Sequence, residues 1–336
     1  MRFSSRFTKI AAYAFVVVAL LTACSARAST EKPVMRIGYL PITHAALPLI
    51  VYTQTQGQMD TFQLEMIRFS SWPEMAEAIQ AGKIDGGGSI LSSLALKIAS
   101  NGVPFQSVLM TVRDGNVMVV SQQIDSADDL RGKTIAIPSR FSSHYVALHQ
   151  YLTEHGIDPV TDVQTPEMAP SDMLQALASG SIDGFIVAEP FGSLAETLQI
   201  GKIFFLSKDY DAPGFREDEC IIGIRSEFIE RHPEAVQEFV ERLIQAGIWT
   251  EENPRDAAEL LQPYLGQQAD VIARSFIEPS GRTSFIDLYP RREEYVAFQD
   301  YLLKLKLIDR RVDIEHFVEE RFAEQAYQKL GLKKPE

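Results

Sequence analysis

The sequence predicts an α/β protein built from two similar lobes. Three observations lead there. Strand-like and helix-like apolar patterns alternate along most of the chain, as repeated βα units do. A thirteen-residue stretch is written twice, "EMAEAIQAGKIDG" at 74–86 and "DMLQALASGSIDG" at 172–184, with six identities: Met75/Met173, Ala78/Ala176, Gly82/Gly180, Ile84/Ile182, Asp85/Asp183 and Gly86/Gly184. About 310 residues remain once the first thirty are set aside, enough for two lobes of ordinary size. Two widely spaced copies are too few for a solenoid. One copy in each of two α/β units, facing each other, is the economical reading.

The elements follow in order. "VMRIGYL" (34–40) and "QLEMIRF" (63–69) read as strands, the second by its alternation. The first copy of the repeat is a helix with a capping box, Ser71 at the N-cap and Glu74 three residues on, and Gly82 stops it. "IDGGGSI" is a strand running into a glycine loop, "LSSLALKIAS" a helix, and "FQSVLMTV" and "VMVVSQ" (117–122) strands. The rhythm restarts with a short helix in "SADDLRG", a strand in "KTIAIPS" and a helix in "SSHYVALHQYLTEHG" ended by Gly156. A strand near 162–166 precedes the second copy, which ends in "GFIVAEP"; "KIFFLS" and "CIIGI" are strands. From Phe228 onward the pattern is helical, and Val236, Phe239, Leu243 and Gly247 mark the buried stripe of the longest helix.

The N-terminus reads as a secretory signal. Arg2, Arg6 and Lys9 precede the apolar run 10–21, which is too short to span a bilayer of roughly 20 helical residues. It ends at Leu21-Thr22-Ala23-Cys24, which resembles the lipobox whose cysteine becomes lipid-modified. Residues 1–23 are therefore expected to be a lipoprotein signal peptide, 24–33 a tether, and Cys24 the lipidation site on the extracytoplasmic face of a membrane. With Cys24 lipidated, Cys220 is the only other cysteine, so no internal disulfide is expected. Without the three signal cations, 29 basic residues face 45 acidic ones, a net charge of −16 that argues against nucleic acid as a partner.

With these residues in hand, the chain resembles the nitrate/sulfonate/taurine/bicarbonate branch of periplasmic substrate-binding proteins of ABC importers, a group related to the binders of thiamin-pyrimidine precursors. The matching pieces run from about Met35 to Leu330: "RIGYLPITHAALPL", "AGKIDGGGS", "LRGKTIAIPS", "SGSIDGFIVAEPFGSL", "SEFIERHPEAVQEFV" and "LLKLKLID". The resemblance implies a two-lobed periplasmic-binding-protein-like fold of type II. Two hinge-crossing strands are expected near 118–122 and 220–225. Lobe one would be 34–119 plus 226–330, and lobe two 120–222. It implies a monomer that carries a small-molecule ligand to a membrane permease, without a cofactor. The same lobes serve enzymes of pyrimidine and menaquinone synthesis, but the cysteine-rich motif of the pyrimidine enzymes is missing here. The six histidines lack the spacing of a metal site, and no nucleophile elbow or phosphate loop occurs. A binding subunit of a membrane sensor is the third reading.

Ligands of open α/β sheets sit beyond the carboxyl ends of strands. That rule selects Thr43 and His44 in "PITHAA", Ser89 and Ser92 after the glycine run, Ser142, Ser143 and His144 at a helix start, and Glu189 in "AEP". Ser142 or Ser143 would cap its helix, leaving free N–H groups and the positive dipole end for an anion or polar acceptor. In many relatives an Asp fills the position of His44, whereas His144 matches a ligand-contacting His of nitrate and bicarbonate binders. Glu189 matches an "EP" at a strand end and could bind ligand or lock the closed lobes. Trp72, Phe141, Tyr145 and Phe191 could stack on a planar ligand or belong to the core. Cys220 stands where nitrate and bicarbonate binders carry a Lys, beside Glu217, Asp218 and Glu219. Unless Arg216 or Arg113 replaces that Lys, a larger organic ligand, anionic or polar and sulfonate-like or heterocyclic, is expected, with its acidic or carbonyl end against the Ser142–His144 helix start.

Overall fold

The computed structural model describes residues 31–210 and 220–334. The signal segment, Cys24, and the group Arg216, Glu217, Asp218 and Glu219 lie outside the described residues. The strands are β1 (Val34–Tyr39), β2 (Gln63–Arg68), β3 (Gly86–Leu91), β4 (Phe105–Met110), β5 (Arg113–Asp114) and β6 (Asn116–Val120). They continue as β7 (Ile135–Ala136), β8 (Gly184–Ala188), β9 (Lys202–Leu206), β10 (Cys220–Arg225) and β11 (Thr283–Ser284). The helices are α1 (Ala46–Thr55), α2 (Trp72–Gln80), α3 (Ser92–Ser100), α4 (Ser143–Glu154), α5 (Pro170–Ala178) and α6 (Phe191–Leu198). Beyond β10 come α7 (Ser226–Arg231), α8 (Pro233–Glu252), α9 (Pro254–Leu265), α10 (Ala269–Ile277), α11 (Arg292–Lys304), α12 (Ile314–Phe317) and α13 (Arg321–Lys329).

Two sheets form the lobes. One has the order β2-β1-β3-β10-β4, the other β7-β8-β6-β9, and the short β5 and β11 pair separately. The chain passes from the first sheet to the second and back again. β6, the first strand of the second sheet, runs antiparallel to β8 and β9; β10, the first strand after the return to the first sheet, runs antiparallel to β3 and β4. The two-lobed α/β class expected from the sequence is thus borne out. The boundaries at 119/120 and 222/226 fall inside β6 and β10, each of which lies wholly in one sheet. The chain changes sheets between β4 and β6, ahead of Asn116, and returns to the first sheet at β10.

The repeated stretch is a repeated device. α2 and α5 each end at a left-handed glycine, Gly82 at φ +67° and Gly180 at φ +72°. The aspartate that follows then ties its strand to the neighbour. Asp85 donates its N–H to the Arg36 carbonyl (2.9 Å), and its carboxylate accepts the Arg36 N–H (2.8 Å). Asp183 does the same with Thr134, at 2.8 and 2.9 Å. The next residue must be glycine: a Cβ on Gly86 would lie 2.3 Å from the Gly223 carbonyl oxygen, and one on Gly184 2.7 Å from that of Val119.

Three local expectations need correction. Ser71 accepts the Glu74 N–H, but the Glu74 carboxylate turns to the N–H and hydroxyl of Ser70, so the box closes one residue early. The segment near 162–166 forms single bridges, Thr134 to Gln164 and Ile137 to Glu167, and "KTIAIPS" yields only the two-residue β7. The glycine run expected to be a loop lies inside β3, and a Cβ on Gly88 would meet Ile37 at 2.9 Å and Pro48 at 3.0 Å. Gly88 lets α1 approach the sheet at Pro48.

Candidate functional site

The eight residues selected by the strand-end rule, Thr43, His44, Ser89, Ser92, Ser142, Ser143, His144 and Glu189, are all buried, and so is Cys220. They converge between the two sheets, in three groups with different partners.

The first group is the hinge. Thr43 and His44 form a single 3-10 turn after β1. The Thr43 N–H donates to the Glu189 carbonyl across the lobes (2.8 Å), and its hydroxyl donates to the same oxygen (3.1 Å). His44 lies between the two crossing segments. Its Nε2 is 3.2 Å from the Gly115 carbonyl oxygen, which can only accept. Its Nδ1 lies 3.4 Å from the Cys220 sulfur, and the Cys220 thiol donates to the Ser89 carbonyl at 3.6 Å. Gly115, at φ +94°, is required there, since a Cβ would sit 2.7 Å from Nε2. The Gly115 carbonyl also accepts the Glu189 N–H at 2.8 Å. His44 and Cys220 therefore serve the hinge.

The second group is Glu189, at the carboxyl end of β8. One carboxylate oxygen accepts from Arg282 Nε (2.7 Å), the other from the Ser193 N–H in the first turn of α6 (3.0 Å). Glu189 thereby satisfies the start of α6 from inside the protein. Of its two expected roles, locking the lobes is the one this geometry supports.

The third group is left open. The duplicated unit places α3 after β3 as it places α6 after β8, yet α3 has no side-chain cap. Ser89, Ser92 and Ser93 are at most 1% exposed, and among the described residues their hydroxyls find no hydrogen-bond partner. A buried hydroxyl without a partner costs about 1–3 kcal/mol, and the first N–H groups of a helix have no partner within it. Across the cleft stands the start of α4. Ser142 is its cap, accepting the Tyr145 N–H (3.1 Å) and donating to the Ser139 carbonyl (2.6 Å). Ser143 opens the helix, and His144 Nε2 lies 3.0 Å from Asn116 Oδ1. The walls touch where the Trp72 and His144 rings approach to 5.9 Å, and where Lys97 lies 5.7 Å over the Phe141 ring. Trp72 is core, and its indole N–H donates to the Ser89 carbonyl (2.8 Å). Tyr145 and Phe191 are likewise buried.

Arg113 does not supply a cation to this cleft. Its guanidinium is spent on Glu294 (3.0 Å) and on the carbonyls of Asp287 (2.8 Å) and Tyr289 (3.0 Å). Among the described residues no group of three or more His, Cys, Asp or Glu is placed to hold a metal ion. The sequence reading missed Ser93, Asn116 and Arg282. Ser93 was within reach as the next residue of a helix start; Arg282 had no local signal at all.

This architecture and cleft have known relatives. The model of the NMT1-like family matches residues 28–263. The chain belongs to that family. Over 273 residues, 74% of this chain and 40% of the other, it is 26% identical to the nitrate import ATP-binding protein NrtC of Synechocystis sp.. It is 31% identical over 181 residues to the taurine-binding periplasmic protein of Escherichia coli, covering 53% of this chain and 55% of that one. The chain thus spans about half the length of these relatives or less. Among solved structures, the ligand-binding component of an ABC-type import system from Staphylococcus aureus, solved with zinc bound, superposes with a TM-score of 0.78 at 27% identity. That match covers 88% of this chain and 99% of that one. The NMT1-like chain has no helix among its described residues long and apolar enough to cross a membrane.

Proposed function

We propose that this chain is an extracytoplasmic solute-binding protein that closes its two lobes over a small organic anion and delivers it to an ABC importer. The observation that carries this reading is the broken symmetry of the repeat. At α6 Glu189 accepts the Ser193 N–H and one buried hydroxyl, that of Ser193, finds no partner among the described residues, whereas at α3 no side chain caps the helix and three such hydroxyls remain. A sulfonate or carboxylate suits them: it accepts from hydroxyls and helix N–H groups alike, and the helix dipole favours its charge. The acidic end then sits in lobe one, with the body reaching toward Ser143, His144 and Trp72. The likeness to the taurine-binding protein supports a sulfonate. Anchoring through Cys24 completes the proposal.

Nitrate or bicarbonate is the second reading, favoured by the likeness to the nitrate import protein. A small anion stripped of water needs charge-assisted donors, about twice as strong as neutral ones, and Arg113 is committed elsewhere. Thermal-shift screening of taurine, longer alkanesulfonates, nitrate, bicarbonate and pyrimidine compounds separates the readings, because a ligand of the folded state raises Tm. Mass spectrometry of the mature N-terminus, with Cys24→Ala as control, tests the anchor.

A further inference from the structure

We propose that Arg282, which lies outside the cleft, is a positioning residue that sets how firmly the two lobes stay closed and so tunes ligand affinity. The inference rests on the cleft being the binding site described above, and the geometry carries it in three steps. First, the C-terminal helices strap the lobes together. α9 packs on α1 of lobe one, and α10 packs on α6 of lobe two, with a left-handed Gly266 (φ +68°) between them. β11 then pairs with β5 at the crossing, Thr283 opposite Asp114, so Arg282 is held next to the hinge.

Second, Arg282 is a buried cation with two carboxylates. It is 2% exposed and Glu189 is fully buried. Nε and Nη2 lie 2.7 and 2.5 Å from one Glu189 oxygen, and Nη1 lies 3.0 Å from Glu196. Burial works against the guanidinium charge, but Glu189 and Glu196 more than offset it and push its pKa up. Arg274, 3.8 Å from Glu196, adds a second cation to the group.

Third, Glu189 is where the parts meet. Its carboxylate takes Arg282 and the start of α6, its N–H bonds the hinge at Gly115, and its carbonyl takes Thr43 of lobe one. Loosening Arg282 frees the residue whose carbonyl joins the lobes. A buried pair of this kind is costly to half-remove, so the effect reaches the Thr43–Glu189 bond without any change in the cleft lining.

Hydrogen exchange of the full chain tests this without any ligand, so a failed taurine titration leaves the test standing. The amide of Thr43 reports the closed lobes and that of Glu189 the hinge at Gly115; those of Asp85 and Asp183, bonded within one sheet each, serve as controls. Arg282→Lys is expected to speed exchange at Thr43 and Glu189 about tenfold, with the controls unchanged. Glu196→Gln, which removes only the partly exposed partner, is expected to give a smaller acceleration at the same two amides and covers the case in which Arg282→Lys fails to fold. Unchanged exchange at Thr43 in a folded variant, or equal acceleration at the control amides, would overturn the proposal.

Discussion

Asp85 and Asp183 do the same work in two different sheets. Each opens its strand, exchanges a pair of hydrogen bonds with one residue of the neighbouring strand, and hands the chain to a glycine that no other residue could replace. The duplication in the sequence is therefore a duplication of a join. If so, Asp85→Ala and Asp183→Ala should each cost about 1–2 kcal/mol, and equally to within about 0.5 kcal/mol. Urea unfolding of the two variants measures it. A large effect from one and none from the other would show that the copies are not equivalent.

Two carboxylates should bend the pH–stability curve in opposite directions. Burial pushes Asp85 up, and the Arg36 N–H with Arg36 and Arg225 only partly offsets it. Its folded pKa is above the unfolded one, so the folded state binds the proton first. Stability from Asp85 falls as pH rises from the ordinary carboxylate value toward the folded value. Glu238 is the reverse. Burial would raise it, but bonds from the Thr61 hydroxyl and the N–H groups of Asp60 and Thr61 hold it below its ordinary value. Its contribution is present above the unfolded pKa and is lost as pH falls through the folded one. Asp85→Asn should flatten the first slope and Glu238→Gln the second, in Tm measured from about pH 3 to 7.

The hinge should depend on His44 rather than on the ligand. His44→Ala removes two buried hydrogen bonds and opens a cavity between the crossing segments, so a loss of about 2–4 kcal/mol is expected. Denaturant unfolding without any ligand checks this. A stable His44→Ala protein that has lost only ligand binding would return His44 to the cleft lining.

Much of the fold was legible because its signals are local. The Gly82 and Gly180 stops, the alternating strands and the stripe Val236, Phe239, Leu243 and Gly247 all lie within single elements. The sheet boundaries were not, since whether Val117 and Cys220 belong to one sheet or the other depends on partners elsewhere in the chain. In the site, the strand-end rule found the right loops but not the division of labour among them. Whether a serine is spent on its own helix, as Ser142 is, or left over, as Ser92 is, depends on what the fold brings near. Arg282 meets Glu189 across 93 residues, and no motif marks it.

The seat at α3 should show a trade between stability and affinity. Ser92 and Ser93 each bury a hydroxyl that finds no partner among the described residues. Ser92→Ala combined with Ser93→Ala is therefore expected to raise ligand-free stability by about 1 kcal/mol or more. A loss of stability would mean that the hydroxyls serve the fold.

Titration calorimetry of the wild-type chain and the Ser92→Ala/Ser93→Ala variant with taurine, beside nitrate, tests the central claim most directly. Saturable one-to-one binding of taurine, weakened about tenfold or more in the variant, each tenfold being about 1.4 kcal/mol, with no heat from nitrate, is the predicted result. Tight nitrate binding, or taurine binding unchanged by the double substitution, would contradict an organic anion seated at the start of α3.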